Sequence, residues 1–321
     1  MIVAALLLST AQPIQTRCHF SDDTPGPTDY VIAEYGAQVL SKVTPTGART
    51  VVHSFAHDTW PRNVAIDRDG SCVVTELLSD VLSRVTFDGS RTVLYQFSRG
   101  SLPDGVAVDS EGNYIVTESG VNVLSKITQN GTRIPIYVFS GWTWAAGIAV
   151  DSMGNYVVAE SGADVLSRIT PDGRRTVIHR FENGTWPLGV KIESDGGYVV
   201  TEFNAQSLSR ISPNDVRTVV HRFAGGTWPA GVDIDAEGDY IVAEHLANAL
   251  SKITPSGIRT VIHTFDPGTL PVGIAARRLY GPISDLTPHL DGPTLPCLAL
   301  AICAVACSLV WIRRRRAMSN V

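Results

Sequence analysis

A glutamate follows a short apolar stretch at six equivalent places in the chain. In the segment "NYIVTESG", residues 113–120, the types Tyr, Ile, Val and Thr favour a β-strand, and Glu118 then precedes a Ser-Gly turn signal. A carboxylate in that position could serve as an active-site acid. The residue recurs every 42 positions, at Glu34, Glu76, Glu118, Glu160, Glu202 and Glu244. Since six copies cannot all be one catalytic acid, we expect each glutamate to be first of all part of the scaffold.

Other residue types keep the same register of 42 residues. A Leu-Ser-Lys/Arg triplet occupies 40–42, 82–84, 124–126, 166–168, 208–210 and 250–252, and an arginine stands at 49, 91, 133, 175, 217 and 259. We expect each repeat glutamate to accept hydrogen bonds from backbone amides of a loop and so to join neighbouring units. The cation of the triplet is expected to help neutralise it.

Each repeat has the pattern of four short strands. In the third repeat these are "GVAVD" (105–109), "NYIVTE" (113–118), "VLSKIT" (123–128) and "IPIYVF" (134–139), separated by Gly, Asn, Asp and Ser. Four strands in about 40 residues are typical of a β-propeller blade. The first repeat lacks an innermost strand, whereas the last is followed by a spare one, "VGIAA" (272–276). The sequence therefore predicts an all-β, six-bladed propeller over residues 29–277, closed by strands from both ends of that region.

Propeller topology places two sets of turns on one face, here called the top face. One set precedes the innermost strands, as in "GTWPLGV", and the other follows the repeat glutamates. The first set carries Trp60, Leu102, Trp144, Trp186, Trp228 and Leu270. Packing between blades and ligand binding both remain open for these side chains.

A specialised site should interrupt the repeat, so departures from it are the candidate functional residues. After the repeat glutamate come Tyr35, Leu77, Ser119, Ser161, Phe203 and His245, of which the histidine is a metal-ligand type and gives the pair Glu244-His245. At another equivalent position, Arg62 and Asp104 stand where the other repeats have apolar residues, and Asn63 follows Arg62. For His245, a solvated loop histidine and a metal ligand are both open. A recurrent carboxylate precedes glycine-containing turns, at Asp67, Asp109, Asp151, Glu193 and Asp235. We expect it to cap the turn's own amides, and a calcium-binding loop is the alternative.

The repeat unit, with "GVAVDSEGNYIVTE" as one example, resembles the NHL-type repeat and the blades of virginiamycin B lyase-like and gluconolactonase-like propellers. In lyase-like members the resemblance implies a magnesium site with a catalytic histidine and glutamate at the ring centre. In gluconolactonase-like members it implies a divalent ion held by Glu, Asn and Asp. The resemblance is specific for the fold, whereas activity must be argued from the site.

The charge composition limits the classes of partner that the protein can bind. The chain of 321 residues has 26 Lys and Arg against 31 Asp and Glu, and four of the basic residues form the run 313–316. The remainder carries 22 basic against 31 acidic residues, a net charge of about −9. An acidic body argues against a nucleic-acid partner, because phosphates would be repelled.

Both ends of the sequence are distinctive. Residues 1–18 have the pattern of a signal peptide and leader, and residues 278–294 are rich in Pro and Gly, as in a flexible stalk. The uncharged stretch 295–312 could cross roughly 27 Å of lipid as a helix, and the basic tail 313–321 would stay in the cytoplasm. The segment "GPTLP" with this span and the arginine run resembles an IPTL-type bacterial sorting signal.

The sequence therefore favours a non-enzymatic propeller in the cell membrane, single-pass, with the propeller outside and the C-terminus in the cytoplasm. We expect its top face to bind a protein or a glycan, without a cofactor, through Trp60, Trp144, Trp186, Trp228, Arg62, Asp104, Glu244 and His245. The alternatives are a lyase or lactone hydrolase that uses Mg or Ca in the central channel, and a purely structural surface repeat.

Overall fold

The computed structural model describes residues 28–278, which form six antiparallel sheets of four strands each. The first three strands are β1 (Thr28–Glu34), β2 (Val39–Val43) and β3 (Arg49–Ser54). The next two complete sheets are β4 (Pro61–Ile66), β5 (Cys72–Glu76), β6 (Val81–Val85) and β7 (Arg91–Gln96), then β8 (Pro103–Val108), β9 (Tyr114–Glu118), β10 (Val123–Ile127) and β11 (Arg133–Val138). The fourth consists of β12 (Ala145–Val150), β13 (Tyr156–Glu160), β14 (Val165–Ile169) and β15 (Arg175–Arg180), with a single 3-10 turn (Ser161–Ala163) after β13. The last strands are β16 (Pro187–Ile192), β17 (Tyr198–Glu202), β18 (Ser207–Ile211), β19 (Arg217–Arg222), β20 (Pro229–Ile234), β21 (Tyr240–Glu244), β22 (Ala249–Ile253), β23 (Arg259–Thr264) and β24 (Pro271–Arg278).

The ring is closed by the last strand. Strand β24 pairs with β1, so the first blade has the order β24-β1-β2-β3, and the other five blades follow in chain order. The innermost strand of each blade contacts that of the next, and β24 lies between β20 and β4. The six-bladed propeller and its closure by both ends are thereby confirmed. This closure leaves no innermost strand without a partner.

The core lies between blades. The second strand of every blade is buried on both faces, as each sheet is packed between two neighbours. Between blades 4 and 5, for example, Leu166 and Phe181 pack against Tyr198 and Val200. Six such clusters exist, one at each interface. This explains why the second strands lack the alternation of apolar and polar residues that a half-exposed strand shows.

Glycines allow the innermost strands to approach one another closely. An ideal Cβ on Gly147 would lie 2.1 Å from the carbonyl oxygen of Leu188 in the next blade, and one on Gly105 would lie 2.2 Å from that of Ala146. The equivalent residue in blade 2 is Asn63, which therefore marks a departure in the channel wall.

Residues 28–278 contain no helix that is long and apolar enough to span a membrane. The predicted leader 1–18, span 295–312 and basic tail 313–321 lie outside the described residues. So does the predicted stalk, apart from Arg278 at the end of β24.

Candidate functional site

The two sets of top-face turns are joined by backbone hydrogen bonds. Ser161 N–H donates to the Trp144 carbonyl at 3.0 Å, and Phe203 N–H donates to that of Trp186 at the same distance. His245 N–H repeats the contact with Trp228. The turn before each innermost strand is thus fixed to the turn after the second strand of the same blade.

The Trp and Leu residues of this face have an unusual backbone conformation. Their φ angles lie between 43° and 54°, in the left-handed region that bulky residues rarely adopt. The members of this set are Trp60, Leu102, Trp144, Trp186, Trp228 and Leu270. At Trp186 the conformation is held by Asp164 of the preceding blade, whose carboxylate accepts from the amides of Gly184 and Trp186 at 2.7 Å each. Asp80 holds Gly100 and Leu102 in the same way.

The repeat glutamates are buried and ion-paired. Glu76 accepts from Arg91 Nε and Nη2 at 2.6 and 2.7 Å and from the Ser83 hydroxyl at 2.5 Å. Burial opposes ionisation of Glu202, but hydrogen bonds from Arg217 and Ser207 hold the pKa of its carboxyl below the usual range. The partners differ from those expected, because side chains of the same blade take the place of backbone amides. The carboxylates therefore join three strands within a blade and do not join neighbouring blades.

The cation of the Leu-Ser-Lys/Arg triplet has a different partner from the one expected. Lys126 Nζ lies 3.1 Å from Asp109, which also caps its turn by accepting from the amides of Glu111 and Asn113 at 2.9 and 2.8 Å. These turns follow the innermost strands and so open on the face opposite the top. Neighbouring blades are joined there, since the hydroxyl of Tyr114 donates to Asp67 of the preceding blade at 2.8 Å.

Two departures from the repeat, Arg62 and Asp104, meet at the top of the channel. Arg62 Nε donates to Asp104 Oδ1 at 2.9 Å between blades 2 and 3, and both side chains are mostly buried. Trp144 Nε1 lies 3.4 Å from Asp104 Oδ2 and extends the contact to blade 4. Residues from three consecutive blades thus come together, and two of them, Arg62 and Asp104, stand where the other blades have apolar residues.

A pocket of about 180 Å³ lies beside this group. It is lined by Arg62, Trp142, Trp144, Ser161, Gly162, Trp186, Leu188 and Phe203. Trp142 occupies a position that is glycine in four of the other five turns. Trp142, Leu188 and Phe203 were not among the predicted site residues, although the irregular turn "WTWAAGI" at residues 142–148 was a signal for the first. The tryptophans of the top face are unusually exposed for large apolar residues. The exposed fraction is 69% for Trp142, 42% for Trp144, 41% for Trp186 and 37% for Trp228.

The remaining predicted site residues extend the aromatic surface, except Glu244. Tyr35 contacts Trp60 and His245, with ring centroids 4.8 and 6.2 Å apart, and Phe203 contacts Trp228 and His245 at 5.0 and 6.1 Å. Burial and then the charge of Arg62 lower the pKa of His245 to about 4, so its imidazole is neutral near pH 7.

The residues present do not fit the metal site that the resemblance implies. Arg259 engages both carboxylate oxygens of Glu244 at 2.6 and 2.8 Å, while the neighbouring His245 faces aromatic rings. Across residues 28–278, no three His, Cys, Asp or Glu side chains are grouped so that they could hold a metal ion. Glu244 and His245 thus have different partners in the described propeller.

A second pair of departures lies toward the opposite end of the channel. Lys191 and Asp233 stand where the other four blades have Ala65, Ala107, Ala149 and Ala275. Lys191 Nζ lies 3.1 Å from Asp233 Oδ2, which also accepts from the amide of Ala276 at 2.9 Å. This pair was missed in the sequence, and the charged residues among equivalent alanines were the available signal.

Solved structures with the same architecture share little sequence with this chain. A streptogramin B lyase is 18% identical over 78% of this chain and 88% of its own, with a TM-score of 0.62. Virginiamycin B lyase from Staphylococcus aureus is 20% identical over 78% of this chain and 88% of its own, with a TM-score of 0.61. A structure of the nidogen/laminin complex is 15% identical over 78% of this chain and 98% of that one, with a TM-score of 0.66. No protein-family profile and no curated protein matches the chain. At such identities the likeness shows the fold alone, and the chain is a six-bladed β-propeller.

Proposed function

We propose that this propeller is a binding module whose top face recognises a protein or a glycan. The proposal rests on one observation. Residues that depart from the repeat lie together with exposed tryptophans at one side of the channel mouth. Arg62, Asp104 and Trp142 depart from the repeat, and Trp144 and Trp186 complete the group. Exposed aromatic patches of this kind are typical of interaction sites.

The backbone supports the same proposal. A tryptophan whose backbone is in the left-handed region costs conformational energy. At Trp186 the hydrogen bond that the carboxylate of Asp164 accepts from the amide offsets that cost. Turns that are fixed before a ligand arrives lose little further entropy on binding. A rigid ring with exposed indoles is therefore well suited to recognition.

The experiment is a binding assay with the purified full-length protein on a glycan array and against a phage-displayed random peptide library. We expect ligands from one of the two, with binding that is lost when Trp144, Trp186 and Trp228 are all changed to Leu. Leucine already occupies the equivalent positions 102 and 270, so the variant should keep its fold. Equal binding by parent and variant would contradict the proposal.

A lyase or lactone hydrolase is the competing function, favoured by the fold likeness to streptogramin B lyase. The described residues supply no metal-binding group at the channel mouth, and Glu244 is paired with Arg259. Incubation with virginiamycin B and Mg²⁺, followed by mass spectrometry, distinguishes the two functions. We expect virginiamycin B to be recovered intact, and cleavage that depends on His245 would favour the lyase.

The location outside the cytoplasm is part of the same proposal and rests on the sequence of the tail. An uncharged span followed by Arg313–Arg316 should stop in the membrane with the arginines inside. Protease added to intact cells, or to spheroplasts, should then degrade the propeller. Full-length protein that remains in the cytosolic fraction, untouched by protease, would overturn the proposed location.

A further inference from the structure

The top-face pocket has the size and chemistry of an anchor site. Its volume of about 180 Å³ is below the roughly 300–1,000 Å³ of typical small-molecule sites. It has room for one large side chain or one ring, and the rest of a ligand would lie over the exposed indoles. Trp142 and Trp186 border this opening.

The lining argues against a sugar ring. Apart from Arg62, the side chains of the lining offer few hydrogen bonds to the inside of the pocket, because Leu188 and Phe203 are apolar and Trp144 Nε1 is already directed at Asp104. The Ser161 hydroxyl already donates to the carbonyl of Pro187 at 2.5 Å. A sugar placed here would find donors in Arg62 but would leave several of its hydroxyls unpaired. An apolar side chain has no such penalty.

Arg62 supplies donors for a polar neighbour of that side chain. Within the described propeller, its guanidinium hydrogen-bonds only to Asp104, through Nε, and the Nη groups are left for a ligand. Asp104 already balances its charge, so a neutral acceptor such as a main-chain carbonyl matches the site better than a second carboxylate.

We propose that the pocket takes one large apolar side chain of a protein partner, while Arg62 donates to a main-chain carbonyl next to it. This inference rests on the proposed function and names its ligand class. Trp and Arg are the residue types that most often dominate the energy of protein interfaces, in pockets bordered by contacts that exclude water.

The test uses variants that copy residues from other blades, so that loss of folding does not confuse the result. Phe203→Ser introduces the residue found at the equivalent positions 119 and 161, and Trp186→Leu the residue found at 102 and 270. Leu77→Ser is the matched control, because position 77 is equivalent to 203 but lies outside the pocket lining. Peptides are selected from the phage library on the full-length protein, and their Kd values are measured by tryptophan fluorescence.

We expect the selected peptides to share one large apolar residue. Phe203→Ser and Trp186→Leu should each weaken their binding by about 30-fold, whereas Leu77→Ser leaves it unchanged. Arg62→Lys keeps a charge near Asp104 but lacks the planar pair of donors, so we expect about tenfold weaker binding.

The other outcomes separate this inference from the proposed function. Binding on the glycan array that depends on Trp186 would overturn the peptide ligand and preserve the binding function. Peptides that bind the parent, Phe203→Ser and Arg62→Lys equally would overturn the pocket as the anchor. If neither probe binds in a manner that depends on the tryptophans, both proposals fail.

Discussion

At the scale of single residues, each blade contains one buried carboxylate whose charge is balanced by an arginine of the outer strand. In blade 5 the pair is Glu202 and Arg217, and Ser207 adds a hydrogen bond. The arginine keeps contact with water, with about 29% of its side chain exposed, whereas the carboxylate has none. Removing the carboxylate thus leaves a cation that can still be partly hydrated, which limits the cost.

We predict that Glu202→Gln lowers the free energy of unfolding by about 1–3 kcal/mol. A urea titration of Glu202→Gln, Arg217→Gln and the double variant should give a coupling energy of at least about 1 kcal/mol. Glu111→Gln is the control, since that side chain is 75% exposed and should change stability by less than about 0.5 kcal/mol. Overlapping curves for Glu202→Gln and the parent would mean that the carboxylate is not structural.

At the scale of elements, the hairpin turn of one blade holds the tryptophan turn of the next. Asp164 lies between β13 and β14 and binds the amides that precede β16. The sequence predicted the four strands of the third blade to within two residues at each end, because the repeat fixes their spacing. It did not predict the partner of Glu34, since Ser41 and Arg49 reach it along a diagonal across three strands. The pairing of β2 with β3 also shifts register between Leu40 and Ser41, which composition does not reveal.

The candidate site was harder to predict from the sequence than the strands were. A repeat pattern describes the residues that the blades share, whereas the pocket also depends on residues that they do not share, such as Arg62 and Trp142. Arg62 and Asp104 could be identified as departures, but Phe203 follows the common pattern of mixed residues after the glutamate. It lines the pocket together with Trp186 and Leu188, and its ring contacts those of Trp228 and His245, which the sequence alone does not reveal.

We predict that Asp164→Ala loosens one tryptophan turn. Without the carboxylate, the amides of Gly184 and Trp186 lose their acceptor, and we expect both to exchange with deuterium at least tenfold faster. The amides of Gly100 and Leu102, held by Asp80, are the internal control and should keep their protection. Unchanged exchange at Trp186 would show that other contacts fix its conformation.

At the scale of the whole molecule, closure of the ring depends on β24, the last of the described strands in chain order. Strand β24 completes the first blade and fills the space between β20 and β4. It buries Val272, Ile274 and Ala275, and its Ala276 amide is bound by Asp233, which also pairs with Lys191. The charged pair that departs from the alanine pattern thus connects blades 5, 6 and 1.

We predict that a chain ending at residue 278 folds cooperatively, whereas one ending at residue 269 does not. Burial of Val272 and Ile274 contributes about 1.5–3 kcal/mol each, and every ladder hydrogen bond to β1 adds about 0.5–1.5 kcal/mol. Their sum is of the same order as the 5–15 kcal/mol that stabilises a typical domain. The two chains lack the same tail and differ only by residues 270–278, so the comparison isolates β24.

Thermal unfolding followed by circular dichroism, with sedimentation to detect association through the open edges, measures the difference in stability between the two chains. A synthetic peptide of residues 270–278 should restore the transition of the shorter chain. A monomeric, cooperatively melting chain that ends at 269 would instead show that five complete blades and three strands are stable without closure.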